Sequence, residues 1–377
     1  MLLVADILGI LTYGMIAAML GTILPELSKK FNLSPKQNGS IGMMQAIGLM
    51  IGGFFAGPLM DLQGKKLGML LSLVLIAVAM MGLRGAKGYG SISGMMMLLG
   101  TGGGALVTAA FAVAGDINVP WLQGAAVFNA VNLFFGLGGL ITPLVAARLF
   151  QNNASRLLVF ATSIALIALG VNGITEMAPA SGKVSFQAEQ VSLLLGSPVL
   201  LLLSLALFLY VACEVGVWNW LARHLIAQGV PESRALTILS LGFALGLLLG
   251  RVAVVPVLGS VTPKMVLLGA AVLMAITTYL MLQSSSPTTA WVLVFLGGLA
   301  MAPVFPTALG VVGSTFKAQG LDSTATGIAS TCGWLGLVVS SPIIGSIAGD
   351  DPKKLKKALL LLPIASAVMA AVILALP

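Results

Sequence analysis

Twelve long apolar runs, each near the length that crosses a bilayer, constrain this chain more than any other feature. A spanning helix needs about 20 apolar residues. Runs of that order recur from Leu2–Leu24 to Leu355–Leu376. The breaks between them carry turn residues: Pro25, Ser34–Pro35, Gly64, Asn118–Pro120, Gly229–Pro231, Ser284–Pro287 and Asp350–Pro352. The runs are far longer than barrel strands and do not alternate polar with apolar. The chain therefore reads as an all-α membrane protein with twelve transmembrane helices. Composition agrees, with 58% hydrophobic and 8% charged residues, where soluble domains hold about 45–50% and about 25%. Lipid is the solvent for such a surface, which places the chain as a multi-pass protein of a cell membrane, expected to be a bacterial inner membrane. The net charge of +8 belongs to loops and is no nucleic-acid footprint, since no basic patch interleaves with aromatics. The first run has no basic leader and reads as a spanning helix, not a removable signal. Cys213 and Cys332 fall inside apolar runs and read as small packing residues, not as a disulfide or metal ligands.

The runs come in two sets of six. Gly48, Gly52, Pro58 and Lys66 recur as Gly246, Gly250, Pro256 and Lys264. One residue of slippage later, Thr108 and Pro143 recur as Thr307 and Pro342. The longest polar stretch, Glu176 to Gln190, lies between the sets. The expected division is a six-helix bundle over 1–175, a linker over 176–195, and a second bundle over 196–377. An even number of spans per half makes the copies parallel, with a solute site expected near the midplane between them. Gly48, Gly52 and Ala56 share one helix face, as do Gly242, Gly246 and Gly250, a spacing that lets backbones approach closely.

Charge at a helix centre costs about 2.5–3.5 kcal/mol on insertion scales, so each intramembrane ionisable group is a functional candidate. Glu214 lies deepest, in span seven, with Tyr210 and Trp218 one turn to either side on the same face. An acid between aromatics with polar edges suits a sugar, whose apolar face packs on rings and whose hydroxyls need acceptors. The same carboxylate can carry a coupling proton, or bond a neighbouring helix for structure alone. Asn129 and Asn132 share a face of span five, and Gln45 lies deep in span two. Tyr13 and Trp334 are further candidates to touch solute, with ordinary packing as the alternative for all five. Asp6 and Asp116 read as solvated residues near helix ends. Arg223 and His224, near the end of span seven, are placed to snorkel toward the interface. His224 is the only histidine, so no histidine metal cluster or triad can be built. No phosphate loop of the G-x-x-x-x-G-K type is present. The chain is thus not read as an enzyme or a nucleotide-driven pump, and no cofactor is expected beyond a possible coupling ion, H+ or Na+.

The break after span two reads GPLMDLQGKK, with Gly57, Asp61, Gly64, Lys65 and Lys66 in register. It resembles the major facilitator superfamily signature between helices 2 and 3, G-x-x-x-D-R-x-G-[RK]-[RK], with Leu62 where that pattern has Arg. NLFFGLGGLITPL (Asn132 to Leu144), PVFPTAL (Pro303 to Leu309), YVACEVGVWNWL (Tyr210 to Leu221) and GLLLGR ending at Arg251 are similar to helices five, ten, seven and eight of its fucose/glucose–galactose symporter branch. The resemblance implies two parallel six-helix repeats and a monomer moving a small-molecule solute. It also implies a gate in which Asp61 caps or pairs with a facing helix of the second half. Lys65 and Lys66 would face the cytoplasm, and Arg251 would support the gate. In fucose permeases the resemblance implies a coupling pair of acids on helices one and four. Their places fall near Gly21 and Val107, neither of them acidic. Coupling then passes to Glu214, to another ion, or is absent.

The expected function is secondary active or facilitative transport of a small uncharged polyol, a monosaccharide, by alternating access. The alternatives are efflux of hydrophobic or cationic compounds by the same fold, or a receptor or scaffold that has lost transport. The resemblance places both termini in the cytoplasm. The charges oppose it: thirteen of the 19 Lys and Arg residues fall on odd-numbered loops, which that orientation puts outside.

Overall fold

The structure is a computed structural model that describes residues 1–180, 188–284, 286–349 and 351–377. Residues 181–187, in the middle of the expected linker, lie outside the described residues. All regular elements described are helical. Among the described residues, twelve helices are long and apolar enough to span a membrane: α1 Leu2–Phe31, α2 Pro35–Gln63, α3 Lys65–Arg84, α4 Tyr89–Ala114, α5 Ala125–Arg148, α6 Ala154–Ile174, α7 Pro198–Ala227, α8 Glu232–Val257, α9 Pro263–Gln283, α10 Pro287–Gln319, α11 Asp322–Ala348 and α12 Pro352–Leu374. A short helix, Ala188–Leu195, precedes α7.

The helix starts follow from local chemistry. Ser34 caps α2 by accepting from Gln37 N–H, while the Gln37 side chain accepts from Ser34 N–H. This reciprocal box satisfies two of the amides that a helix start leaves unpaired. Pro35 adds a residue with fixed φ and no amide to satisfy. Ser197–Pro198, Thr262–Pro263 and Asp351–Pro352 repeat the device at α7, α9 and α12. Several spans are not continuous: α1 is interrupted at Ala18, α10 between Met301 and Val304, and α12 at Leu360. Six residues of α8, Ile238–Phe243, form a π-helical turn.

By packing, the chain divides into two compact units, Met1–Gln190 with Gly313–Thr331, and Val191–Val312 with Cys332–Pro377. The segment Gly313–Thr331 belongs to the second copy by the repeat and to the first unit by its contacts.

Within each unit the glycine faces make the closest helix contacts. In the first, a Cβ at Gly48 or Gly52 would run into the α4 backbone at Met97 and Thr101, and one at Gly100 or Gly104 into α2 at Gln45 and Leu49. In the second, Gly246 and Gly250 of α8 meet α10 at Phe295 and Leu299 in the same way, and Gly298 returns the contact at Phe243. The repeat in sequence is thus a repeat in packing, α2 on α4 and α8 on α10.

Candidate transport site and gate

The gate motif is built in the first unit. Gly64 ends α2 at φ +95°, a left-handed value that other residues rarely adopt, so the chain turns at once into α3. Asp61 is only 6% exposed, yet its carboxylate is fully engaged. Oδ1 accepts from Ser323 N–H at 3.1 Å, and Oδ2 accepts from Thr324 N–H at 2.8 Å and from Thr324 Oγ1 at 2.5 Å. Those amides belong to the first turn of α11, where a helix has unpaired donors and the positive end of its dipole. Gly57 makes the approach possible, since a Cβ there would lie 2.5 Å from Ser323 O. Docking continues along α2: Gly327 lies against Gly53, and Thr331 Oγ1 donates to Met50 O at 3.4 Å.

Lys65 does not face outward as the resemblance implied. It turns inward, and its Nζ donates to Asp116 Oδ2 at 2.8 Å, Asp322 Oδ2 at 2.7 Å and Ala112 O at 2.9 Å. Lys317 Nζ lies 2.9 Å from Asp116 Oδ1. Asp116, expected to be a solvated helix end, is instead shared between two lysines. The physical reason is that Lys65, at the start of α3, is flanked by the end of α4 and the start of α11, each bringing a carboxylate. Lys66 is half-buried and Leu62 is 40% exposed. The position without the signature's Arg therefore faces outward, and Lys65 joins both carboxylates at this end, with Lys317 on Asp116 as well.

The second unit gathers the acid and its aromatics. Tyr210 and Glu214 stand one turn apart on α7, within electrostatic reach of each other. Tyr210 is buried, and its ring lies 6.4 Å from that of Phe305. Glu214 is half-buried, and Trp218 packs edge-on against Phe243 at 5.1 Å. Phe243 closes the π-helical turn of α8, so that irregular turn sets the partner of Trp218. Arg251, grouped with the gate from its place in the repeat, is buried in the second unit within electrostatic reach of Tyr210 and Glu214. Its proximity could not be read from the sequence, because Glu214 and Arg251 sit on different helices. Trp334 is buried in this unit as well.

The remaining candidates lie in the first unit. Tyr13 is half-buried and stacks on Phe135 at 5.2 Å. Gln45 is buried, and its Nε2 reaches Ile16 O at 3.5 Å. Asn129 and Asn132 are buried, and Asn129 Nδ2 donates to Ala125 O in its own helix at 3.0 Å. Two further expectations are corrected. Asp6 is not a solvated helix start; it is fully buried, because α1 is surrounded there by other helices of its unit. His224 does not snorkel: it is fully buried with Nε2 3.3 Å from Leu282 O, while Arg223 is exposed, donates to Gly349 O and lies over Trp220. The residues that sequence reasoning passed over at the gate are Asp322, Ser323, Thr324 and Lys317. The only signal for them was the acidic, hydroxyl-rich start of span eleven.

Residues 7–341 match the Major Facilitator Superfamily. The gentisate transporter of Corynebacterium glutamicum is 25% identical over 339 residues, covering 86% of this chain and 76% of that protein. Solved structures of similar fold include the transporter FucP in the outward conformation, at 18% identity and a TM-score of 0.84 over 98% of this chain and 97% of that one. The proton:xylose symporter XylE bound to 6-bromo-6-deoxy-D-glucose is similar at 14% identity and a TM-score of 0.81, covering 98% and 94%. With twelve spanning helices and a family match over most of its length, the chain belongs to the Major Facilitator Superfamily and is a multi-pass membrane transporter, not an enzyme.

Proposed function

We propose that the protein moves a small uncharged polyol, a monosaccharide such as a hexose or 6-deoxyhexose, by alternating access. The observation that carries this reading is the charge balance around Glu214. Its carboxylate has Tyr210 one turn away on the same helix and the buried Arg251 within electrostatic reach. A carboxylate with a guanidinium nearby leaves no net charge for a solute to neutralise. The candidates of the first unit, Gln45, Asn129, Asn132 and Tyr13, are uncharged donors and acceptors that suit hydroxyls. Trp218 and Trp334 supply rings for the apolar face of a sugar. In this reading Glu214 accepts from solute hydroxyls and Tyr210 orients it. The similar folds of a fucose:proton symporter and a xylose symporter are in keeping with a sugar, as analogy of fold only.

A second reading has one specific support. The gentisate transporter moves an aromatic carboxylate, and Arg251 is the kind of group that would receive one. Uptake into proteoliposomes distinguishes the two. L-fucose, D-galactose, D-glucose and gentisate are each offered with and without proton and sodium gradients. The polyol reading expects uptake of at least one sugar and a loss of about tenfold or more in Glu214→Gln. Uptake of gentisate alone, abolished in Arg251→Leu, overturns it in favour of the second.

A further inference from the structure

The first spanning helix holds a fully buried carboxyl group. Asp6 has 0% exposure, and neither of its carboxylate oxygens has a hydrogen-bond partner among the described residues. A second orphan belongs to the same turn. Asn172 of α6, also 0% exposed, donates Nδ2 to Ala5 O at 3.0 Å and to Ala168 O at 2.9 Å, which leaves its Oδ1 without a donor. Two side chains at one turn of α1 thus present three buried acceptor oxygens that no donor meets among the described residues. A carboxylate buried in that state has lost its water with nothing to replace it. A single proton relieves this, because a carboxylic acid is neutral and is itself a donor.

Among the described residues, the surrounding elements bring no charged side chain to pair with Asp6. α1 packs against α4, α5 and α6, and against α2 through its second piece. α4 has no charged residue, and its one titratable group, Tyr89, is bonded to Ser40 at the far end. α5 and α6 carry only Arg148 and Arg156. Arg148 lies in the last turn of α5, well past Phe135, which meets Gly14. Arg156 lies beside Ala154, whose amide bonds Glu26 at the other end of α1. Lys29 and Lys30 share that end with Glu26. On α2, Lys36 is in the first turn and Asp61 is committed to α11. α3 approaches at Gly9 through Met69, and its nearest charges are Lys66 and Lys65, the latter held by Asp116 and Asp322.

We propose that Asp6 is a proton-binding site of this transporter, with Asn172 Oδ1 as the acceptor for the bound proton, and that loading and unloading of that proton couples transport to a proton gradient. The step makes and breaks one O–H bond on the carboxyl group, with the proton taken from water and returned to water. The site is separate from the acid pair implied near Gly21 and Val107; Asp6 lies about four helical turns before Gly21. The coupling half of the proposal rests on the solute reading above, and the proton-binding half does not.

Infrared titration of the full-length protein in lipid tests proton binding without any solute. The wild type should show the carbonyl stretch of a neutral carboxylic acid that fades as pH rises, and Asp6→Asn should lack it. A difference band that is missing, or that persists unchanged at every pH as a purely structural acid would, overturns the proposal. If Asp6→Asn fails to fold, Asn172→Leu should shift the midpoint of the wild-type band by more than about half a pH unit, and an unmoved midpoint is equally fatal. In proteoliposomes with L-fucose, D-galactose or gentisate as probe, Asp6→Asn should lose gradient-driven accumulation by about tenfold while equal-concentration exchange continues, and Asp6→Glu should retain both. Accumulation by Asp6→Asn equal to wild type refutes coupling at this residue. If no probe is taken up even by wild type, the solute reading fails and the infrared titration alone decides the proton site.

Discussion

Asp61 and Lys65 show how far single side chains decide this end of the molecule. Asp61 satisfies two amides of α11 from a site with almost no access to water. Asp61→Ala should lower stability by about 1–3 kcal/mol, the cost of leaving buried donors unmet, read as a lower midpoint of thermal unfolding in detergent. Asp61→Asn should lose less, since an amide oxygen can still accept, and should slow transport with little change in solute affinity. Lys65 stands between Asp116 and Asp322, so Lys65→Met leaves two carboxylates facing each other. Adding Asp322→Asn should recover part of the loss. A double-mutant cycle should return a coupling of about 0.5–3 kcal/mol, and strict additivity would show that the pair does not act as one. Asp61 was legible in the sequence because a short motif announced it. Lys65 was legible as a residue and misjudged as a role, because its acids lie 51 and 257 residues away in the chain.

At the scale of elements, close approach of backbones sets which helices pair. The α2–α4 and α8–α10 contacts run through glycines with no room for a methyl group. Gly52→Ala should therefore destabilise by about 1–3 kcal/mol through overpacking. Gly94→Ala, on α4 with open space around it, should be neutral or slightly stabilising. Thermal unfolding of the two variants side by side checks the difference, and equal midpoints would remove the argument. Helix number and approximate ends were readable from run length, since lipid permits only segments that satisfy their own backbone. The interruptions at Ala18 and in α10 and α12, and the π-helical turn that brings Phe243 to Trp218, were not. A run of apolar residues reads alike whether its hydrogen bonds close at four residues or five.

For the whole molecule, an even number of candidate spans predicts that both ends of this sequence lie on the same side of the membrane. The gate motif and the basic loops disagree about which side that is. Reporter tags at the two ends, tested in intact cells, should both be shielded from outside reagents if the superfamily orientation holds; labelling of both from outside would favour the Lys and Arg count.

The number of spans, their pairing into two copies and the place of the gate motif were set by sequence alone, because run length, glycine spacing and turn residues act locally and lipid enforces them. The state of the ionisable groups was decided only by tertiary structure. Asp6 buried at the turn that Asn172 bonds, Arg251 buried within electrostatic reach of Glu214, and Lys65 divided between two acids all depend on which helices meet. Burial and pairing fix the cost of a charge, and neither is a property of the residue's own stretch of chain.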